Sequence, residues 1–229
     1  KIHKRATSYV RKKEYVCKFT SAIVGNMATG KSTLSHTLNN SIKGSILIKE
    51  ELENPYLNLF YDYLADHKNV YNPYTFPLQK YFFEKRLENE KAHLSQNNIV
   101  ISDRFLNEYF SIFVTNSYNH NFLSDEEYGV LKDMYESSDM NKLLPQVIYY
   151  LKASESKCIE RIRERDRLKE SKAIDFTYLR ELNNLYQNFL YEFRNKFSQI
   201  EIVEVETTDL EKHEIFEKVS NHLFKILNL

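Results

Sequence analysis

The stretch that decides the fold of this chain is residues 25–32, which read Gly25-Asn26-Met27-Ala28-Thr29-Gly30-Lys31-Ser32. It matches the pattern G-x-x-x-x-G-K-[ST] at every fixed position. Two glycines at this spacing let the backbone curl so that successive N–H groups face one anion, and Lys31 adds a positive charge. The hydroxyl of Ser32 can hold Mg²⁺. The stretch therefore predicts a phosphate-binding loop.

The residues on either side of this loop predict a strand followed by a helix. Val16 to Val24 reads as a strand, and Lys31 to Leu38 reads as a helix. A helix that begins at the loop adds its positive end to any phosphate held there. This context favours a phosphate site over the alternative, an ordinary strand-to-helix turn.

Length and composition are those of one globular domain. The chain has 229 residues, of which 42% are hydrophobic and 28% are charged, and its formal net charge is zero. We expect no nucleic-acid partner, because no global field attracts a polyanion, and no membrane partner, because no apolar run reaches the ~18 residues that span a bilayer. Cys17 and Cys158 lie far apart, which predicts reduced, buried thiols in a cytosol-like compartment.

The beginning of the chain is strongly basic. Residues 1–18 contain seven Lys or Arg and one acid. A solvated basic tail over residues 1–15, ahead of a domain of residues 16–229, is favoured over the end of a targeting segment. We expect a cytoplasmic protein, and organelle targeting from upstream of residue 1 stays open as the alternative.

Apolar runs and helical periodicity alternate along the rest of the chain. Strands are predicted at Val16–Val24, Ser45–Ile48, Ile99–Ser102, Val147–Leu151 and Ile200–Val205. Helices are predicted at Lys31–Leu38, Phe76–Leu94, Leu106–Asn116, Asp125–Ser137, Glu155–Arg165, Asp175–Phe197 and Leu210–Leu227. Asn54–Pro73, rich in Tyr, Asn and Pro, is predicted to be irregular or to face a substrate. The expected class is α/β, with a five-stranded parallel sheet covered by helices on both faces.

Charged pairs follow two of the predicted strands and should meet the loop at one sheet edge. Glu50-Glu51 could supply a carboxylate within reach of an acceptor hydroxyl, or could be two solvated acids. Asp103 could orient Mg²⁺, and Arg104 could hold a phosphate or the acceptor, or the two could form a local surface ion pair.

Four arginines follow the fourth predicted strand in the run Arg161-Ile-Arg-Glu-Arg-Asp-Arg167. They resemble a lid that neutralises charge during phosphoryl transfer. Acids are interleaved with them at Glu160, Glu164 and Asp166, so a solvated, salt-bridged helix is the alternative.

In these motifs the chain resembles the deoxynucleoside kinases of the deoxycytidine, deoxyguanosine and deoxyadenosine kinase type. The resemblance covers nearly the whole chain. It rests on the motifs GNMATGKST (residues 25–33), ENPYLNLFY (53–61), FPLQ (76–79) with Arg86, Asp103-Arg104, YLKA (150–153), Arg161-Ile162, RDR (165–167), Glu170 and Tyr178-Leu179.

The resemblance implies a role for each matching residue. It implies that ATP and Mg²⁺ bind through residues 25–32 and Thr33, with Lys31 on the triphosphate, Ser32 and Asp103 on the metal, and Arg161, Arg165 and Arg167 on the phosphates. It implies that Glu50 is the base for a 5′-hydroxyl, with Glu51 as the alternative, and that Arg104 contacts the 5′ position. For the deoxynucleoside it implies Gln79 and Arg86 at the base, with Phe76 or Phe110 stacking nearby, and Tyr61 and Glu170 at the 3′-hydroxyl.

The chain departs from the family pattern at three positions. Phe105 replaces a Ser, and Tyr109 stands where many members have an Asp that helps to read the base, with Glu108 one position away. Asp166 replaces the Gly between the two lid arginines.

The interpretation is an ATP-dependent kinase that phosphorylates a deoxynucleoside at its 5′-hydroxyl. The alternatives are a nucleoside monophosphate kinase of the thymidylate kinase type and a catalytically silent nucleotide-binding protein. Related kinases are dimers, so a homodimer built on the helices Phe76–Leu94 and Leu106–Asn116 is expected.

Overall fold

The computed structural model describes residues 19–94, 98–139, 143–165 and 168–229. Its strands are β1 (Phe19–Gly25), β2 (Ile46–Ile48), β3 (Ile99–Asp103), β4 (Val147–Lys152) and β5 (Glu201–Glu206). Its helices are α1 (Lys31–Ser41), α2 (Leu57–Asp66), α3 (Thr75–Leu94), α4 (Leu106–Glu108), α5 (Thr115–Asn119), α6 (Asp125–Ser137), α7 (Glu155–Glu164), α8 (Leu168–Ala173), α9 (Phe176–Lys196) and α10 (Lys212–Leu227). A π-helical turn, Tyr109–Val114, joins α4 to α5.

The five strands form one parallel sheet in the order β2-β3-β1-β4-β5. The central strand β1 is buried along its whole length, as expected for a strand covered on both faces. Because all strands run in one direction, their carboxyl ends share one edge. The phosphate loop after β1, Glu50 after β2 and Asp103 at the end of β3 therefore meet there.

Alternation along the strands divides the core between the two faces of the sheet. Ile23 of β1 packs on the side of α1 and α10, where Leu38 and Val219 are buried. Its neighbours Ala22 and Val24 point the other way and pack under α9, on Leu182. The predicted five-stranded α/β fold with helices on both faces is confirmed.

One prediction of local structure was wrong and one helix was not predicted, and both segments lie near the site. Residues 57–66 form helix α2, because Phe60 and Leu64, one turn apart, bury one face of the segment in spite of its Tyr and Asn content. Helix α8 is an additional helix that packs on α2. The predicted strand residues 16–18, the basic tail 1–15, Cys17, Asp166 and Arg167 lie outside the described residues. Cys158 is buried with a free thiol.

In the described part of the chain, no helix is both long and apolar enough to cross a bilayer.

Candidate active site

The phosphate loop lies at the carboxyl end of β1, between that strand and α1. Gly25 has a φ of 143°, and a Cβ built there would lie 2.3 Å from the carbonyl oxygen of Leu151 in β4. Gly30, with a φ of 99°, is the residue from which α1 begins. A residue with a Cβ atom would be strained in either backbone conformation, whereas glycine adopts both without steric cost. The geometry of the loop therefore requires both glycines.

Asn26 and Lys31 fix the interior of the loop. The Asn26 amide donates hydrogen bonds to the Leu179 carbonyl and to Asn183 Oδ1 of α9, both at 2.7 Å. The Lys31 ammonium donates to the Asn26 carbonyl at 2.6 Å and is buried. Burial, helped by the nearby Arg104 charge, lowers the pKa of Lys31 to about 8. An anionic ligand beside Lys31 would favour its charged form again.

Ser32 and Asp103, the predicted metal ligands, lie together at the sheet edge. The buried Asp103 carboxylate accepts a hydrogen bond from the Ser32 hydroxyl. Its Oδ1 is buried and has no hydrogen-bond partner among the residues that the structure describes. Burial, followed by the charge of Glu50, raises the pKa of Asp103. A cation at this point would remove that cost, so the pair fits a small, oxygen-liganded metal ion.

Arg104 is buried between the phosphate loop and the end of β2. It is a non-glycine residue in the left-handed region, with a φ of 69°. Such a conformation costs about 1–3 kcal/mol and persists only where the surroundings impose it. Its Nε donates to Glu50 Oε1 at 2.5 Å, and its guanidinium lies 4.7 Å from the Phe113 ring centre. The turn therefore aims this side chain back over the end of β1.

Glu50 and Glu51, left as alternatives by the sequence, face different surroundings. Glu50 lines a cavity together with Lys31 and Arg104. Burial works against its charge, but Arg104 and then Lys31 hold the pKa of the Glu50 carboxyl down at about 2. Glu51 is not one of the described residues that line this cavity. The structure therefore brings Glu50, and not Glu51, to the phosphate loop.

The cavity beside the loop, called here the acceptor cavity, has a volume of about 280 Å³. Gln79 lies in its wall, and the Gln79 amide oxygen is buried with no hydrogen-bond partner in the described residues. An unpaired buried amide costs about 1–3 kcal/mol, so a polar ligand edge fits there. The aromatic side chains that line the cavity are Phe60, Tyr61, Phe82, Tyr109, Phe113 and Tyr178.

Phe76 and Phe110 do not stack at this cavity, contrary to the sequence expectation. Phe110 stacks on Tyr135 of α6 with ring centres 4.7 Å apart, and Phe76 packs in the same outer cluster. Tyr109 and Phe113 share one helix face, and Phe110 lies on another. The four-residue spacing of Tyr109 and Phe113 was the signal that could have identified the pair.

Arg86 lies behind Tyr109 and, among the described residues, is not part of the cavity wall. It donates to the Ser102 hydroxyl at 3.2 Å, to the Asp103 carbonyl at 2.5 Å and to the Tyr109 hydroxyl at 3.4 Å. Burial raises the pKa of Tyr109 to about 12, so the phenol stays protonated. Through its bond to the Tyr109 hydroxyl, Arg86 supports a side chain that lines the cavity.

Helices α2 and α8 close the outer side of the acceptor cavity. Tyr61 from α2 and Glu170 from α8 both line it. Lys169 of α8 pairs with Asp62 of α2 at 2.5 Å, and Lys68 donates to the Ala173 carbonyl at 3.0 Å. The segment after the arginine run is thus a helix docked on α2.

A second groove lies on the other side of the loop, and two of the predicted lid arginines, Arg161 and Arg165, line it. Arg161 donates to the Thr207 carbonyl at 2.8 Å and to the Ala28 carbonyl at 3.4 Å. Arg165 lines both the groove and the acceptor cavity, whereas Arg163 is exposed and is not among the described residues that line either. The groove is also lined by Thr29, Gly30, Thr33, Lys157, Thr208, Asp209 and Phe216.

Two compartments thus meet at one phosphate loop: Ala28, Thr33 and Arg165 line both, and Lys31, Glu50 and Arg104 lie on the side of the acceptor cavity. This arrangement defines a P-loop phosphotransferase with separate donor and acceptor sites. A sequence profile described as "Deoxynucleoside kinase" matches residues 22–228, and the chain belongs to the deoxynucleoside kinase family.

Individual relatives agree with this assignment. A deoxyguanosine kinase of Dictyostelium discoideum is 29% identical over 187 residues, which cover 79% of this chain and 61% of that protein. A deoxyguanosine kinase of Bacillus subtilis (strain 168) is 28% identical over 217 residues, covering 90% of this chain and 96% of that protein. The structure of deoxyadenosine kinase from M. mycoides with the products dCMP and a flexible dCDP bound has a TM-score of 0.73 and 26% identity. The superposition covers 91% of this chain and 100% of the deoxyadenosine kinase chain. The predicted family is confirmed.

Proposed function

We propose that this protein transfers the γ-phosphoryl group of ATP to the 5′-hydroxyl of a deoxynucleoside. The observation that carries the proposal is the position of Glu50, which lies in the acceptor cavity and is held at 2.5 Å by Arg104 beside the phosphate loop. A carboxylate at that junction can accept the proton of an acceptor hydroxyl. The family and its relatives support the same reaction.

The role proposed for each residue follows from its position in the acceptor cavity or at the phosphate loop. The nucleoside would occupy the acceptor cavity, with its base edge on Gln79 and its sugar between Tyr61 and Glu170. The triphosphate would lie over residues 25–32, where Lys31 and the start of α1 balance its charge. Arg104 would bind at the 5′ oxygen, and Glu50 would take the hydroxyl proton as the bond from the 5′ oxygen to the γ-phosphorus forms. The bond from that phosphorus to the β–γ bridging oxygen breaks, and ADP leaves with that oxygen. Phosphoryl transfer needs mainly such positioning and charge neutralisation.

Mg²⁺ fits the pair formed by Ser32 and Asp103. The buried Asp103 Oδ1 that lacks a described partner, next to the Ser32 hydroxyl, would hold the ion. Mg²⁺ bound there would neutralise charge on the phosphate oxygens.

The proposed reaction is tested by incubating the protein with ATP and each of the four deoxynucleosides and their monophosphates, with products identified by mass. We expect monophosphate formation from at least one deoxynucleoside. Phosphorylation of monophosphates alone would establish the thymidylate-kinase-type alternative, and no product from any acceptor would favour the silent nucleotide-binding alternative.

Gln79→Ala is expected to raise KM for the deoxynucleoside by about 10- to 100-fold, because the base edge loses its buried amide partner. KM for ATP should change little, since Gln79 lies in the acceptor cavity only. Gln187→Ala, at an exposed position on α9, is the matched control. Equal loss of affinity for ATP and for the nucleoside would contradict this role.

Arg165→Ala is expected to lower kcat by about 10- to 100-fold with a smaller effect on nucleoside affinity, because its charge acts most strongly on the transferring phosphoryl group. Arg163→Ala, on the same helix run but away from both compartments, should be mild. We also expect ATP to slow hydrogen exchange over residues 163–173. If the two variants behave alike and exchange is unchanged by ATP, these arginines form a solvated helix face.

We also propose a homodimer. The sequence predicts that it is built on the helices Phe76–Leu94 and Leu106–Asn116, but these helices expose little apolar surface. The apolar side chains of the two helical segments pack mostly inside the chain, and the outer face of α3 has the ion pairs Lys80–Glu84 and Lys85–Glu88. Tyr71 and Val130 are exposed hydrophobic side chains at α6, where the Tyr71 hydroxyl donates to Glu127. Light scattering should give about twice the 27.4 kDa of one chain at micromolar concentration. A mass of one chain would refute the dimer.

A further inference from the structure

Arg104 is held from behind by two buried side chains, Glu108 and Tyr186. Its Nη1 atom donates to Glu108 Oε1 at 2.6 Å, to the Tyr186 hydroxyl at 3.0 Å and to the Gly25 carbonyl at 3.3 Å. Glu108 and Tyr186 are both fully buried. In the described structure neither lines the acceptor cavity or the groove. They can therefore act on a ligand only through Arg104 or through the loop.

The Tyr186 hydroxyl joins three parts of the active site. It donates to the carbonyl of Gly25, the first glycine of the phosphate loop, at 2.7 Å. It also contacts Glu108 Oε1, so the single phenolic hydrogen has two acceptors within reach. The ring of Tyr186 is stacked on Tyr150 of β4, with centres 5.5 Å apart and planes 25° apart. The Tyr186 side chain thus connects the sheet, the phosphate loop and Arg104.

Glu108 balances the pull of Glu50 on the guanidinium. Glu50 binds Nε from the cavity side, and Glu108 binds Nη1 from the core side. With a carboxylate on one side only, the guanidinium would move toward that side. A guanidinium fixed between two carboxylates leaves Glu50 oriented in the cavity for a ligand. The left-handed φ of Arg104 also needs surroundings that impose it.

We propose that Tyr186 and Glu108 are a positioning pair, which fixes the Arg104 guanidinium relative to Glu50 and Gly25 in the geometry that phosphoryl transfer requires. The inference rests on the proposed kinase function. A displacement of about 1 Å at a reacting centre can cost about 100-fold in rate, so the pair should affect kcat more than binding.

The test is Tyr186→Phe, which removes only the hydroxyl. We expect kcat to fall by about 10- to 100-fold, with KM for ATP and for the deoxynucleoside within about threefold of the wild-type values. Tyr149→Phe is the matched control, because it removes another buried phenol, bonded to His222 at 3.0 Å on the opposite face of the sheet. It should lower the melting temperature similarly and leave kcat unchanged. A kcat for Tyr186→Phe within about threefold of that for Tyr149→Phe would overturn the proposal.

A double-mutant cycle with Arg104→Ala separates positioning from general stability. If Tyr186 acts through Arg104, adding Tyr186→Phe to Arg104→Ala should lower the residual kcat no further, whereas additive losses would overturn the proposal. If Tyr186→Phe does not fold, Glu108→Gln replaces it with the same criteria.

Nitrogen-15 NMR of the Arg104 side chain, assigned by its loss in Arg104→Ala, does not depend on turnover. Rotation of the guanidinium should be restricted in the unliganded wild-type protein and measurably faster in Tyr186→Phe, where Glu50 and Glu108 still bind it. Unchanged rotation would overturn the positioning pair even if the kinase reaction is observed. Suppose that Tyr186→Phe frees the rotation of the guanidinium but the protein phosphorylates no deoxynucleoside. That result would support the positioning pair and reject the proposed function.

Discussion

Glu50→Gln is expected to lower kcat by about 10²- to 10⁴-fold, which corresponds to about 2.7–5.4 kcal/mol in the activation free energy. Burial opposes the charge of Glu50, yet Arg104 and Lys31 hold its pKa at about 2, so Glu50 is ionised throughout the neutral range. The substitution keeps the size of the side chain and removes a full charge and the proton acceptor. Steady-state kinetics with ATP and the preferred deoxynucleoside measure the effect, and KM for ATP should change little.

Glu51→Gln is the matched control for this prediction. It makes the same chemical change one residue away, at a side chain that is not among the described residues lining the acceptor cavity. Its kcat should stay close to wild type. If Glu51→Gln is the damaging change and Glu50→Gln is mild, the carboxylate at the Arg104 junction is not the base.

Lys31→Ala should lower kcat/KM by at least about 10²-fold, or ~2.7 kcal/mol, because a desolvated charge on the transferring phosphoryl group is lost. The ammonium is buried and held 2.6 Å from the Asn26 carbonyl, so bulk solvent would screen its contact with a phosphate little. The fold should survive, because the glycines and the Asn26 contacts set the shape of the loop. The melting temperature and the far-UV circular dichroism spectrum check that condition.

Lys43→Ala removes a lysine of the same charge at an exposed position just beyond the far end of α1. It should leave kcat/KM unchanged. Near wild-type turnover by Lys31→Ala would end the kinase proposal, since the phosphate loop would then have no part in the reaction.

The sequence by itself determined the elements whose physics is local. Gly25 and Gly30 are required by the backbone of one short loop, and that loop with its strand and helix identifies a phosphate site. The alternation of apolar strands with helices was sufficient for the parallel sheet, because a strand covered on both faces reads as a continuous apolar run. The shared direction of the strands is enough to place Glu50 and Asp103 at the edge of the sheet where the loop lies.

Only the tertiary structure decided what depends on side-chain direction and on distant partners. Adjacent residues such as Glu50 and Glu51 leave the backbone in different directions, and the sequence pattern left both open. Among the described residues, the aromatic side chains at the acceptor cavity include Tyr109 and Phe113, and they do not include Phe76 and Phe110. This choice depends on which helix face meets the sheet edge.

The partners of Arg104 could be found only in the folded chain. Tyr186 lies 82 residues beyond Arg104, and its hydroxyl reaches the Gly25 carbonyl 161 residues away. A local sequence pattern cannot predict contacts at such separations, because these contacts form only when α9 packs on the sheet. The sequence therefore determined the loop and the edge at which the residues converge. The tertiary structure decided which atoms meet there, because burial and hydrogen bonding are properties of the packed core.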